Sequence, residues 1–293
     1  MTANSDSIVP VAMDSENWSL VIRPQRHLFD LRLGELWKYR DLTWLFVRRD
    51  FVSVYKQTVL GPLWYLIQPI MTTIIFTVIF GRIAKLPTDG LPQFLFYMSG
   101  TVVWTYFADC LNKTSNTFIT NSQLFGKVYF PRLTVPISIL ISNLIAFGIQ
   151  FALFLVFMLY FWLKGAAIKP NQWVFFTPVL LLMMAGLGLG FGVIVSSLTT
   201  RYRDLRFLVT FGVQLWMYIT PVIYPVSAIP EQLQVLIKAN PLTPIVETFR
   251  YAYLGAGTVN VLNLLYSAGV MLVVLTIGIL MFNRIEANFM DTI

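Results

Sequence analysis

The stretch YKQTVLGPLWYLIQP, Tyr55–Pro69, decides how this chain folds. To its left lie eight Lys and Arg residues between Arg23 and Lys56, interleaved with aromatics. To its right, Leu63–Phe80 is eighteen residues without a charge. As a helix that run covers about 27 Å, close to the hydrocarbon thickness of a bilayer. Gly61 and Pro62 mark the junction. Proline suits a first helical turn, because its missing N–H would have no helical partner there. The chain enters a membrane at this point. Basic residues beside a first span are retained on the cytoplasmic side, which orients it.

Composition points the same way. Hydrophobic residues make up 57% of the chain and charged ones 12%, against roughly 25% charged in soluble domains. The net charge of +7 gathers at the edges of apolar runs. That is the pattern of positive-inside topology and attraction to anionic lipid, rather than of nucleic-acid binding. A single cysteine, Cys110, excludes an internal disulfide, and a single histidine, His27, argues against a histidine-based metal site. Residues 1–20 are polar, without the apolar stretch of a cleaved leader, so the N-terminus is expected to stay in the cytosol.

Read outward from the junction, residues 33–55 carry an apolar stripe: Leu33, Trp37, Trp44, Val47, Phe51 and Val54/Tyr55. This spacing predicts one amphipathic helix in the headgroup region. Further spans are expected over 93–111, 133–163, 173–198, 207–224 and 261–282. Tyr97, Trp104 and Tyr106 suit an interfacial setting in the second of the six. Between the last two, Pro225, Pro230, Pro241 and Pro244 break the pattern. Two short segments there, 231–239 and 245–254, read as half-length helices meeting at Asn240-Pro241. Such a re-entrant element survives at membrane depth only when sheltered by protein or water. Glu247 and Arg250 are three apart on the second of them, so they can pair with each other or serve at a gate. The inner segments hold fifteen Lys and Arg and the outer ones six, which predicts six crossings with both termini inside.

The sequence contains no GxxxxGK[ST] phosphate loop, HExxH or CxxC, and the span interiors are almost free of ionisable residues. ATP hydrolysis by that loop and ion-coupled carriage are therefore not expected of this chain. Gly186, Gly188, Gly190 and Gly192 provide GxxxG spacings, suited to close helix contact within the bundle or across a dimer. Trp64, Tyr65, Tyr97, Trp216 and Tyr218 are candidate aromatics for a passage along which sugar faces slide.

The chain also resembles a known family. ELWKYRDL (35–42), RRDFVSVYKQTVLGPLWYLIQP (48–69), FGKVYFPRL (125–133), RYRDLR (201–206), QLWMYITPVIYP (214–225) and NPLTPIVETFR (240–250) occur in the order found in permease subunits of polysaccharide-export ABC transporters. Those proteins move O-antigen, capsule and teichoic acid chains. The resemblance implies an all-α membrane protein with six transmembrane helices, an N-terminal interface helix and two outer gate helices. The expected division is a cytosolic tail over 1–32, the interface helix over 33–56 and the permease domain over 57–293. It implies a homodimer in the bacterial inner membrane, with two copies of a separate ATP-binding subunit that holds ATP and Mg. The substrate it implies is a lipid-linked polysaccharide, with no cofactor expected in the chain itself. A drug or small-lipid exporter of the same architecture is the alternative. Outer-gate candidates are Pro241, Pro244, Glu247 and Arg250. Coupling candidates are Leu124, Phe125, Val128 and Tyr129 on a short inner helix expected over 122–129, with Tyr39, Arg40 and Asp41 on the interface helix.

Overall fold

Proline, glycine and the apolar runs divide the chain into helices. A computed structural model describes residues 33–289 apart from 57, 129, 200, 201 and 203. The expected tail over 1–32 and the coupling candidate Tyr129 lie outside the described residues. Two short helices, α1 (Leu33–Lys38) and α2 (Arg40–Tyr55), precede the first apolar segment. That segment is helical from Gly61 to Ile83: a 3-10 turn with Pro62 in it, then α3 (Trp64–Phe76), then a π-helical end over Thr77–Ile83. After a turn-rich loop comes α4 (Gln93–Ser115), followed by the one-turn helices α5 (Thr117–Thr120) and α6 (Ser122–Phe125). Next are α7 (Thr134–Leu163), α8 (Thr177–Thr199) and α9 (Leu205–Ile219). The chain closes with α10 (Glu231–Ala239), α11 (Thr243–Leu254) and α12 (Val261–Phe289). No strand occurs among the described residues.

The six long elements alternate in direction. Gly188 abuts Cys110 and Gly192 abuts Thr114, so α8 runs parallel to α4. Gly186 abuts Met271 and Gly190 abuts Leu275, so α12 runs parallel to α8. The other three oppose them. Phe76 of α3 meets Tyr97 while Gly81 meets Gln93, and Phe147 of α7 meets Tyr106 while Phe157 meets Phe94. Trp216 of α9 meets Phe107, and beyond it Val222 meets Gly100. Among the described residues, four helical stretches are long and apolar enough to cross a membrane: Gly61–Ile83, Thr134–Leu163, Gln172–Thr199 and Val261–Arg284. Leu205–Ile219 is apolar but shorter.

The glycine run of α8 holds the bundle together on two sides. Gly186 and Gly190 face α12, and Gly188 and Gly192 face α4. A Cβ on Gly190 would come within 2.9 Å of the Leu275 backbone nitrogen, and one on Gly278 within 2.7 Å of the Gly190 carbonyl oxygen. The glycines thus work inside the bundle, as van der Waals packing of close backbones requires.

Several expectations are corrected. The first helix breaks at Tyr39, whose φ of −92° and ψ of 18° leave the helical region. Its buried face is also shifted: Val47 packs inward as expected, joined by Thr43 and Phe46, while Trp37 and Trp44 are exposed. Phe46 is drawn in by Phe130, 5.8 Å away, so the 125–135 segment chooses the face. The segment expected over 93–111 continues to Ser115 and is the centre of the bundle. Tyr97, Trp104 and Tyr106 are consequently core residues instead of an interfacial belt. The helix expected over 207–224 ends at Ile219, where Pro221 and Pro225 forbid its continuation. The inner helix expected over 122–129 ends at Phe125. The second half-helix begins at Thr243, with Pro244 in its first turn, and stops at Gly255, whose φ of 77° is the left-handed C-cap conformation.

Candidate functional site

Two regions carry the candidate residues: the segment over 220–254, expected on the outer side, and the end of the bundle around α2, α5 and α6, expected on the inner side. In the outer segment, the turn between α10 and α11 is set by Asn240. Its amide donates to Thr220 Oγ1 at 2.8 Å, and its Oδ1 accepts from the Trp216 indole at 3.2 Å and from the Leu242 N–H at 3.1 Å. One buried side chain thereby fastens the α10–α11 turn to the end of α9. Tyr266 of α12 adds a bond from its hydroxyl to the Ala239 carbonyl, 2.8 Å. Pro241 is half-buried beside this hub, and Pro244 is buried in the first turn of α11.

Arg250 makes the second fastening. It is 2% exposed. Its Nη2 donates to the Val222 carbonyl at 3.2 Å and its Nε to Ser99 Oγ at 3.4 Å, with the guanidinium carbon 3.8 Å from the centre of the Phe96 ring. Gly100 lets Val222 come this close, since a Cβ there would lie 2.9 Å from the Val222 oxygen. The expected Glu247–Arg250 pair is not formed; among the described residues the half-buried Glu247 carboxylate has no ion-pair or hydrogen-bond partner. Arg250 instead points into the bundle toward α4, where Val222, Ser99 and the Phe96 ring hold it.

Outside these contacts, Asp89 accepts a hydrogen bond from Ser227 Oγ at 2.7 Å, tying the 84–92 loop to the 226–228 turn. Backbone bonds from Lys169 to Leu254 and from Asn171 to Ala252 tie the other outer loop to α11. α11 is buried along almost its whole length, whereas α10 shows Leu233, Val235 and Leu236 on its surface.

At the inner end, Phe46, Phe118, Phe125, Phe130 and Phe282 form one aromatic cluster. Phe118 stacks on Phe282 at 4.6 Å and meets Phe125 at 5.9 Å. Phe125 is 3% exposed, so this coupling candidate is the anchor of the inner loop and its side chain presents no surface to a partner. Leu124 and Tyr39 are half-buried; Val128, Arg40 and Asp41 are exposed.

The candidate aromatics separate in the same way. Tyr97 has no exposed surface and is corrected from a passage residue to a core one. Trp216 is half-buried, edge-on to Phe107 and Phe191. Trp64 is 48% exposed and Tyr218 47%, on α3 and α9, and Tyr65 is half-buried. No cluster of metal-ligating residues occurs among the described residues. The Asn240 hub and the Arg250 fastening were not legible beforehand. The prolines located the turn, but the partners Thr220, Trp216, Ser99 and Val222 are distant in sequence.

A matched family domain, the ABC-2 type transporter, covers residues 41–254, from the second residue of α2 to the end of α11. The chain belongs to the ABC-2 type transporter family. An O-antigen export system permease protein of Klebsiella pneumoniae is 28% identical over 253 residues, covering 86% of this chain and 94% of that protein. A polysialic acid transport protein of Escherichia coli is 27% identical over 244 residues, with 81% and 91% covered. An inner membrane transport permease of Escherichia coli K12 is similar at 22% over 259 residues, 84% and 91% covered. This ABC-2 chain is thus a multi-pass membrane protein of a transport family. Membership implies an ATP-binding partner subunit.

Proposed function

We propose that this chain is the membrane subunit of an ATP-driven exporter that moves a lipid-linked polysaccharide across the cytoplasmic membrane. The observation that carries this reading is the similarity to an O-antigen export permease over 94% of that protein's length. Two copies form the channel, and the faces that support this are the ones the single chain leaves open. α3 and its π-helical end turn out Trp64, Met71, Ile75 and Val78; α9 turns out Phe207, Phe211, Leu215 and Tyr218. The six alternating helices are six crossings, both termini are cytosolic, and the 220–254 segment is the outer gate. ATP and Mg are held by two copies of the partner subunit.

The test is transport. The chain, co-purified with its ATP-binding subunit and placed in vesicles, should move a lipid-linked glycan only when ATP is present. ATP-dependent movement of a small hydrophobic compound in place of glycan would overturn the polysaccharide assignment. Orientation has its own test. Cysteines at Pro87 and Thr258, both exposed in outer loops, should react with an impermeant thiol reagent added to intact spheroplasts, and one at Lys127 should not. Reaction in the opposite sense would reverse the topology.

Coupling to the ATP-binding subunit falls on exposed Arg40, Asp41 and Val128, with the half-buried Leu124 and Tyr39 behind them. Charge reversal at both Arg40 and Asp41 together with Val128→Asp should weaken co-purification of the partner about tenfold, the effect of roughly 1.4 kcal/mol of lost contact. The variant chain should remain folded. Phe125→Asp should instead reduce recovery of folded chain, because a carboxylate replaces a ring in an aromatic cluster. Full partner binding by the triple variant would move the contact elsewhere.

A further inference from the structure

The two faces left open by α3 and α9 are not uniformly apolar. Gln68 lies on α3 and Gln214 on α9, and both are exposed. Among the described residues neither side chain makes a hydrogen bond. Exposed hydroxyls in the same bundle behave differently: Thr210 donates to Arg206 O at 3.0 Å and Thr276 to Leu272 O at 2.7 Å, within their own helices. A glutamine amide has two donors and an acceptor, which acyl chains cannot satisfy. A polar group left unpaired in hydrocarbon costs several kcal/mol, so these two side chains require water or a polar ligand beside them.

Their neighbours and depth narrow the ligand. Trp64 stands one turn before Gln68, and Tyr218 one turn after Gln214, each exposed on the same helix face. Both helices run antiparallel to α4, with Phe76 against Tyr97 at 6.4 Å and Trp216 against Phe107 at 5.4 Å. Counting from those contacts puts Gln68 and Gln214 level with about residues 105–109 of α4, within roughly 6 Å of each other in height. Two helices thus present the same device at one depth: a flat ring paired with an amide. A ring covers the C–H face of a sugar while an amide bonds its hydroxyls. A small apolar compound would use the rings and leave the amides unpaired.

Resting on the exporter reading above, we propose that Gln68 with Trp64 and Gln214 with Tyr218 form a ring of glycan-contacting rungs in the translocation path. The amides hydrogen-bond the hydroxyl groups of the passing polymer, and the rings carry its apolar faces.

Two measurements on the intact complex with its ATP-binding subunit test this. Cysteines are placed singly at positions 68 and 214, with Val156 and Leu272, exposed apolar residues of α7 and α12, as comparison sites. The native Cys110 is buried and supplies the background. A water-soluble, cationic methanethiosulfonate should modify positions 68 and 214 about tenfold faster than the two comparison sites. Export of glycan by a Gln68→Leu, Gln214→Leu double variant should fall about tenfold, as expected for losing hydrogen bonds of ordinary strength. Gln68→Asn with Gln214→Asn should restore part of it. The inference is overturned if positions 68 and 214 react no faster than the comparison sites. It is equally overturned if they cross-link between copies while excluding the reagent, or if the double leucine variant exports at the unmodified rate. Failure of the unmodified complex to move any glycan would remove the exporter reading, and the glycan assignment with it.

Discussion

Replacing Gly190 by leucine should prevent the chain from assembling. The added side chain must fit where a single Cβ already lies 2.9 Å from the Leu275 nitrogen and 2.9 Å from Val274 Cγ1. Backbone cannot swing aside as a flexible side-chain end can, so α8 and α12 must separate along their shared length. Overpacking a well-filled interior costs about 1–3 kcal/mol when side chains can adjust, and more when they cannot. A loss above about 3 kcal/mol is expected here, read as a fall in the melting temperature of the detergent-solubilised chain or as no folded chain at all. Gly278→Val should do the same from the other side, since its Cβ would meet the Gly190 oxygen at 2.7 Å. Gly269→Ala is the control: it lies on α12 with nothing within 4 Å of the added methyl and should cost little. Equal melting temperatures for Gly190→Leu and Gly269→Ala would refute the close-packed α8–α12 contact.

The second large effect is expected at the fastenings of the outer segment. Asn240→Leu removes the acceptor of the Trp216 indole and of the Leu242 N–H, and the partner of Thr220. Leaving a buried donor unpaired costs about 1–3 kcal/mol, so two orphaned donors bring the loss to about 3 kcal/mol. Arg250→Met deletes the bonds to Val222 and Ser99 and the stacking on Phe96. Arg250→Lys should fail to restore it, because an ammonium cannot lie flat on a ring while bonding a carbonyl and a hydroxyl at fixed angles. Both losses should be local. Amide exchange should rise over 220–254 while α8 and α12 keep their protection. Uniformly faster exchange along the whole chain would mean that the segment is part of the general core and has no motion of its own. If local loosening occurs and the exporter leaks small solutes, the outer-gate assignment gains direct support.

How much of this was legible in the sequence follows from what sequence can encode. Lengths and breaks were readable, because eighteen uncharged residues after Gly61-Pro62 and the prolines at 225, 230, 241 and 244 act through local chemistry. Both short helices after α9 lie where those prolines put them. Faces were not readable. In a soluble helix the buried stripe is apolar and the rest polar, but lipid is as apolar as the core, so aromatic residues mark neither side. Tyr97 and Trp64 look alike in sequence, yet one is fully buried and the other half exposed. On α1 and α2 the stripe of Trp37, Trp44 and Val47 suggested the packed face; Val47 lies in it, but Phe46 takes the place expected of the tryptophans. Arg250 misled for a related reason. A charge three residues from an acid suggests a local pair, whereas its carbonyl and ring partners lie 28 and 154 residues away and are visible only after folding.

The central place of α4 has a consequence for how the protein is made. This helix carries Asp109 and Lys113, 3.7 Å apart, with Lys113 donating to Asn143 at 2.6 Å, and it ends in the polar run NKTSNT. It is fully surrounded only once α7, α8 and α9 exist, all of which are synthesised after it. Both charges lie in the last two turns of α4, where insertion costs less than the roughly 2.5–3.5 kcal/mol of a mid-span charge, and Lys113 gains its Asn143 partner only from α7. The contacts of α4 at this end are completed only when Asn143 of α7 arrives about thirty residues later. Chains truncated after residue 125 should leave α4 on the wrong side of the membrane or expose it to quality-control proteolysis. Chains that include α7 and α8 should retain it. The last helix to be shielded is the one made second, and the order of synthesis runs against the order of burial.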